Sequence, residues 1–277
     1  YEGKYDEALA LLTSSRLDQL SNTERDDMTY LLATCYLKTG NLKEAAIWFE
    51  TLRASSEKYE KDCAYYISYI RYTQKRYDEA LAGFLPLQDD PKYKALVPYY
   101  IAEIYIVKKN YDKAEIVAQN YLSAYPQNEH AAEMYRILGD ASYHFRKYQE
   151  AIKAFESYLE SDASPRRDAL YMLGLSYFQI GVYSKAAETL GEVTTVNDAL
   201  TQNAYLHMGL AYLQLAEKNK ARMAFEQAAA SNADMKIKEQ AAYNYALCIH
   251  ETSYSAFGES VTVFEKFLNE FPNSAYA

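Results

Sequence analysis

LGLSYFQIGVYSKAAETL, residues Leu173 to Leu190, reads as one helix, a tight turn and a second helix. Leu173, Gly174 and Tyr177 share one face of the first helix. Tyr183, Ala186 and Leu190 recur at the spacing of a second apolar face. Gly181 is placed to end the first helix, because only Gly takes the left-handed backbone of a helix C-terminus without steric cost. Gly174 and Ala186 are small where two helices must approach closely.

The same pattern runs outward in both directions. The Ala that opens each second helix recurs at Ala8, Ala45, Ala80, Ala114, Ala151, Ala186 and Ala221, with Ser260 in the eighth place, at intervals of 34 to 39 residues. A period of this size along a whole chain is the signature of a helical-repeat solenoid. The reading is a single all-α solenoid over residues 1–277, with the second helix of a truncated repeat in 1–25. Repeats then follow at about 26–60, 61–94, 95–131, 132–166, 167–201, 202–236 and 237–274. The third departs from the pattern by placing Arg71 where a Tyr is expected, and the eighth carries extra turn residues in ETSYSAFGES, Glu251 to Ser260. SDASPRRD, Ser161 to Asp168, reads as a linker. The chain opens part-way through a repeat, and FPNSAYA begins another, so the expectation is a segment of a longer array.

Composition limits the function. The hydrophobic fraction of 49% fits a folded chain, and 9 Gly with 6 Pro argue against an all-β fold. Thirty Tyr against 10 Phe suit a structure with much half-buried surface, since Tyr packs its ring and keeps its hydroxyl wet. The net charge is −9, and no Lys/Arg run supplies the basic face that phosphate binding needs, so nucleic acid is not an expected partner and an anionic membrane surface is disfavoured. No apolar stretch approaches the roughly 20 residues of a membrane span. Cys35, Cys63 and Cys248 are far apart and read as small buried hydrophobes. The four His are scattered without zinc-site spacing, and neither a phosphate loop nor a nucleophile elbow is present. No metal, cofactor or catalytic residue is expected, and the chain is not read as an enzyme.

Leu173, Gly174, Tyr177, Gly181, Tyr183 and Ala186 together resemble the tetratricopeptide repeat (TPR) family, as do Leu138, Gly139, Tyr148, Ala151 and Phe155. The resemblance covers essentially the whole chain. It implies hairpins stacked into a right-handed superhelix, with the first helix of each hairpin (helix A) lining a concave face and helix B outside. AQNYLSAYPQNEHAAEMYRILGDASY and VFEKFLNEFPNSAYA also look like the tandem repeats of bacterial envelope TPR proteins. That resemblance implies a periplasmic or outer-membrane-attached scaffold, with a cytoplasmic protein as the alternative.

On that geometry, residues at i, i+4 and i+7 of each helix A give a candidate groove. It comprises Tyr30; Tyr65, Tyr69 and Tyr72; Tyr99 and Glu103; Arg136, Asp140 and Tyr143; and Tyr171 and Phe178. Thr34, Leu37, Ile106, Leu175 and the row Leu206, Leu210 and Leu213 extend it, the last expected to be buried. The functional expectation is a protein-interaction scaffold gripping a peptide or partner helix with Tyr and Phe as rigid anchors. Glu103, Asp140 and Asp62 favour a partner with apolar and basic residues. The chaperone-tail carboxylate clamp of some TPR domains does not carry over, because Thr34, Tyr69 and Glu103 stand where Lys or Asn would be needed. The alternative is a structural array that self-associates through open ends such as the Leu9/Leu12 face.

Overall fold

A turn that closes the same way six times sets the architecture. After each first helix, two backbone bonds of a Schellman motif form. Gly40 N–H donates to Leu37 and Asn41 N–H to Tyr36; the same pair recurs at residues 75–76, 109–110, 146–147, 181–182 and 216–217. The motif needs a left-handed residue. Gly40 and Gly181 supply it at φ +80°, but Lys75, Lys109, Arg146 and Ala216 adopt φ between +58° and +61° without being Gly. The turn expected at Gly181 is therefore present, and four further turns accept the steric cost of a side chain there.

The structure, a computed structural model, describes residues 4–14, 20–161, 164–252 and 258–276. Among them are fifteen α-helices and no strand. They fall into two compact units, Tyr1–His130 and Ala131–Ala277. The first holds α1 (Tyr5–Ser14) and the antiparallel pairs α2 (Asn22–Lys38) with α3 (Leu42–Ser55), α4 (Glu60–Thr73) with α5 (Tyr77–Phe84), and α6 (Val97–Val107) with α7 (Tyr111–Ala124). The second holds α8 (Ala131–His144) with α9 (Tyr148–Ser161), α10 (Arg167–Gln179) with α11 (Tyr183–Val193), α12 (Ala199–Gln214) with α13 (Lys218–Ala230), and α14 (Met235–Thr252) with α15 (Glu259–Glu270).

Local chemistry sets the boundaries. Ser21 and Glu24 form a reciprocal capping box, so α2 starts at Asn22, four residues before the repeat expected from about 26. Pro86 converts the end of α5 into a 3-10 turn, Leu85–Leu87, and leaves α5 only 8 residues long. Pro98 sits in the first turn of α6, where its missing N–H is harmless. α14 begins at Met235, two residues ahead of the repeat expected from about 237. Much of ETSYSAFGES (253–257), part of SDASPRRD (162–163), residues 1–3 and the last residue of FPNSAYA lie outside the described residues.

Six of the hairpins bury a small residue near the start of their second helix. Ala45, Ala80, Ala114, Ala151, Ala186 and Ala221 are all fully buried. Across from them, Gly139, Gly174 and Gly209 of the A helices meet Phe155, Leu190 and Phe225 of the B helices. A Cβ on Gly174 would stand 2.7 Å from Leu190 Cγ, and one on Gly139 2.7 Å from the Phe155 ring. The irregular Arg71 also has a physical reason. It donates to Glu50 Oε1 at 3.3 Å, as Tyr177 Oη donates to Glu156 Oε1 at 2.5 Å from the matching position, so one donor replaces another. The three cysteines are buried and free, and burial pushes the Cys63 thiol up to about 12 and that of Cys248 to about 11.

A tyrosine-lined cleft as the candidate functional site

Helices α2, α4 and α6 place tyrosines in register. Tyr30 stacks on Tyr59 at 4.5 Å, Phe49 on Tyr66 at 4.9 Å, Tyr65 on Tyr93 at 5.0 Å and Phe84 on Tyr100 at 5.2 Å. The ladder repeats because the repeats dock through a repeated clamp. Lys58 Nζ and Tyr59 Oη donate to Asp27 at 2.6 and 2.8 Å. One repeat on, Lys92 Nζ donates to Asp62 at 2.6 Å, joined by Tyr93 Oη. Each Lys-Tyr pair precedes one A helix and grips the Asp of the A helix before it. The Lys58 hydrogen bond, with that of Tyr59, holds the Asp27 carboxyl below its usual range.

Where α4 meets its neighbours, a cleft of about 610 Å³ opens. Tyr65, Tyr66, Tyr69, Tyr93 and Tyr100 form its aromatic wall, Leu37, Leu42 and Leu96 its aliphatic part, and Lys38, Thr73 and Lys92 its polar part. Tyr65 and Tyr93 are pushed above the usual phenol range chiefly by burial, and Tyr100 is raised for the same reason. These three phenols therefore stay protonated at physiological pH, and the wall offers a set of flat apolar faces with hydroxyl donors. Such a surface can hold aromatic, aliphatic or proline side chains and donate to backbone carbonyls.

The candidate groove residues are distributed unevenly. Tyr65 and Tyr69 line the cleft. Tyr30 and Tyr72 are half-buried beside it, in the same aromatic cluster, Tyr72 against Tyr100 at 5.2 Å. Tyr99 turns instead to His130 and stacks on its ring at 4.7 Å; Glu103 is half-buried and does not line the cleft. In the second unit, Arg136 differs most from expectation. It is only 2% exposed, and its guanidinium donates to Glu133 at 2.6 Å and Asp140 at 2.8 Å on its own helix. It is a buried ion-pair centre, not a groove-facing charge, and it occupies Asp140 as well. Tyr143 lies edge-on to Tyr148, and Tyr171 and Phe178 both approach the half-buried His207. Burial lowers the His207 pKa and pushes that of Tyr171 up to about 12. Leu175 and Leu206 are buried, while Leu210 and Leu213 are half-buried.

Tyr66, Tyr93, Tyr100, Lys38 and Lys92 escaped the face count. Their signal is repetition of a dipeptide: Tyr65-Tyr66 returns as Tyr99-Tyr100, and Lys58-Tyr59 as Lys92-Tyr93, each after 34 residues. Charge also differs from expectation, because lysines and no carboxylate line the cleft.

A family model described as Tetratricopeptide repeat matches residues 1–66, and one described as Anaphase-promoting complex, cyclosome, subunit 3 matches 107–193 and 144–228. No curated protein sequence matches the chain. Among solved structures, a tetratricopeptide repeat protein from Parabacteroides merdae is 18% identical over 87% of this chain and 93% of its own, with a TM-score of 0.54. YrrB, described as a TPR protein with an unusual peptide-binding site, is 17% identical over 70% of this chain and 94% of its own, with a TM-score of 0.58. MamA from Desulfovibrio magneticus is 18% identical over 61% of this chain and 93% of its own, with a TM-score of 0.53. These likenesses concern the fold; with the family models matched over residues 1–66 and 107–228 and the recurring hairpin geometry, they bear out the resemblance of the chain to tetratricopeptide-repeat proteins.

Proposed function

We propose that the protein is a non-catalytic interaction scaffold, and that the tyrosine-lined cleft of the first unit holds an extended segment of a partner protein. The observation that carries this is the cleft itself, about 610 Å³ walled by five tyrosines whose rings are fixed by one another and by the Lys-Tyr-Asp clamps. Rigid aromatic rings give contact area at little entropic cost, which makes them binding anchors. Lys38 at the cleft favours a segment that mixes apolar side chains with a carboxylate, Lys92 being already engaged by Asp62. The peptide-binding description of YrrB agrees with this use of the fold.

The test is capture from envelope and cytoplasmic fractions, followed by titration of the captured partner. Tyr69→Ala and Tyr100→Ala should each leave helix content unchanged and weaken binding about tenfold or more. Unchanged affinity in both removes the cleft from consideration. An envelope partner would support a periplasmic or outer-membrane-associated location, which rests on the resemblance of the AQNYLSAYPQ and FLNEFPNS stretches to envelope repeats.

The second reading is a structural segment of a longer, continuous repeat array that associates with itself. It is favoured by α1, which has no buried residue and leaves Leu11 70% exposed, while Leu9 and Leu12, the face expected to be open, are half-buried. Sedimentation across a concentration series separates the two readings, and a strict monomer at high concentration excludes self-association.

A further inference from the structure

The tyrosine cleft leaves several of its own protons unspent. Tyr93 Oη donates to Asp62, as does Lys92 Nζ at 2.6 Å, and Thr73 Oγ1 donates to the Ile70 carbonyl at 2.8 Å. The Tyr65 hydroxyl pairs with that of Tyr100, and the Tyr66 hydroxyl with that of Tyr30 beside the cleft. Two paired hydroxyls use one proton between them, so each pair keeps one to donate. Tyr69 makes no hydrogen bond among the described residues, and the exposed Lys38 has no ion-pair partner among them. No carboxylate, amide or imidazole side chain lines the cleft to accept in return. The lining is therefore rich in donors and poor in acceptors.

The rings add a spacing. Tyr65, Tyr69 and Tyr100 stand at the corners of a nearly equilateral triangle, with centroids 6.5, 5.8 and 6.4 Å apart. Tyr65 and Tyr69 are tilted alike, within 20°, while Tyr100 crosses Tyr69 at 74°. Three kinds of occupant fit this surface poorly. A cation would meet Lys38 and Lys92. A helix bonds its own carbonyls and would leave the protons of the cleft unpaired. An ordinary extended segment brings one N–H for every carbonyl, and an N–H buried here lacks an acceptor. Proline removes the N–H and keeps the carbonyl. In polyproline II the carbonyls are free of internal bonds, and two residues advance about 6 Å, the step between these rings.

We propose that the tyrosine cleft recognises a proline-rich segment in the polyproline II conformation, with an acidic residue beside Lys38. This rests on the cleft being the partner site and adds which segment it takes. The pyrrolidine rings lie on Tyr65, Tyr69 and Tyr100, and the carbonyls between them accept from Tyr69 and from the spare proton of the Tyr65–Tyr100 pair. Lys38 sets the direction of the segment by pairing with its carboxylate. A stiff segment on a wall of fixed rings has little entropy to lose on binding.

The test uses the full chain and fluorescein-labelled synthetic peptides, read by fluorescence anisotropy. The first peptide is a run of eight prolines flanked by aspartates. The second keeps the flanks and replaces the prolines by alternating leucine and serine, which restores every N–H. The third keeps the prolines and has lysine flanks. The first should bind at least about tenfold more tightly than the second, and more tightly than the third at low salt. Tyr69→Ala should weaken its binding about tenfold or more. Tyr69→Phe, which keeps the ring and removes the proton, should weaken it about threefold, and Lys38→Ala should abolish the preference for aspartate flanks. Circular dichroism checks the fold of each variant; should Tyr69→Ala misfold, Tyr69→Phe and Lys38→Ala carry the comparison. No binding of the first peptide, or binding indifferent to these substitutions, overturns the proposal. Equal binding of the leucine-serine peptide, weakened alike by Tyr69→Ala, also overturns it but keeps the cleft as a partner site. If Tyr69→Ala and Tyr100→Ala both leave the affinity of the captured partner unchanged, the cleft reading itself falls and this proposal with it.

Discussion

Single residues set the stability of the hairpins in two opposite ways. At Gly174 a side chain is excluded, because any Cβ would press on Leu190. Gly174→Leu is expected to destabilise by roughly 1–3 kcal/mol or more, read by chemical denaturation; a neutral result would mean that α10 and α11 do not pack as described. At Ala216 the opposite holds. Its φ of +58° strains any residue with a Cβ, so Ala216→Gly should stabilise by about 0.5–1 kcal/mol after the unfolded-state entropy of Gly is counted. The same denaturation curves check it, and a loss of stability would deny the strain. Asp198 gives a pH-dependent case. It accepts from Arg167 at 2.7 and 3.0 Å and from Thr201 N–H at 2.9 Å, and these bonds, Arg167 first, hold its carboxyl well below the usual range. Its stabilising contribution is therefore present above about pH 4, the unfolded value, and is lost as pH falls through the folded value. Asp198→Asn should lower the melting temperature at pH 7 and shrink the fall in melting temperature on acidification; parallel acid curves for parent and variant would show that the pair does not stabilise the fold.

At the scale of the helix, the recurring Ala and Gly announced the hairpins because a close approach tolerates few residue types. The turns at Lys75, Lys109, Arg146 and Ala216 were legible only as members of the period, since a side chain at a left-handed position carries no local signal. Pro86 and the Ser21–Glu24 box moved helix ends that the hydrophobic period cannot fix. Counting every fourth residue along an A helix located Tyr65 and Tyr69 at the cleft but also selected Arg136, which is buried. A face count treats each helix alone. Which part of that face stays open depends on the next helix, and Tyr93 and Tyr100 enter the cleft from outside α4. A helix-scale prediction follows from the clamp. Asp62→Ala removes the acceptor of both Lys92 and Tyr93, so it should loosen the α4–α6 register and raise amide exchange at the start of α6 before it lowers global stability. Unchanged exchange there would leave the clamp without a role in docking.

Over the whole molecule, each unit carries its own buried clusters, one around Phe49 and Ile67, others around Phe155 and Leu173 and around Phe225 and Cys248. Repeat arrays hold together through contacts between neighbours, so opening proceeds by parts and not all at once. The buried thiols turn this property into a measurement. Cys35 and Cys63 belong to the first unit and Cys248 to the second, each shielded from solvent and each raised in pKa by burial. An alkylating reagent needs an exposed thiolate, so each cysteine is a latent chemical clock that runs only while its own hairpin is open. Mass spectrometry of timed labelling would then read the breathing of the two ends of the chain separately, with no reporter introduced.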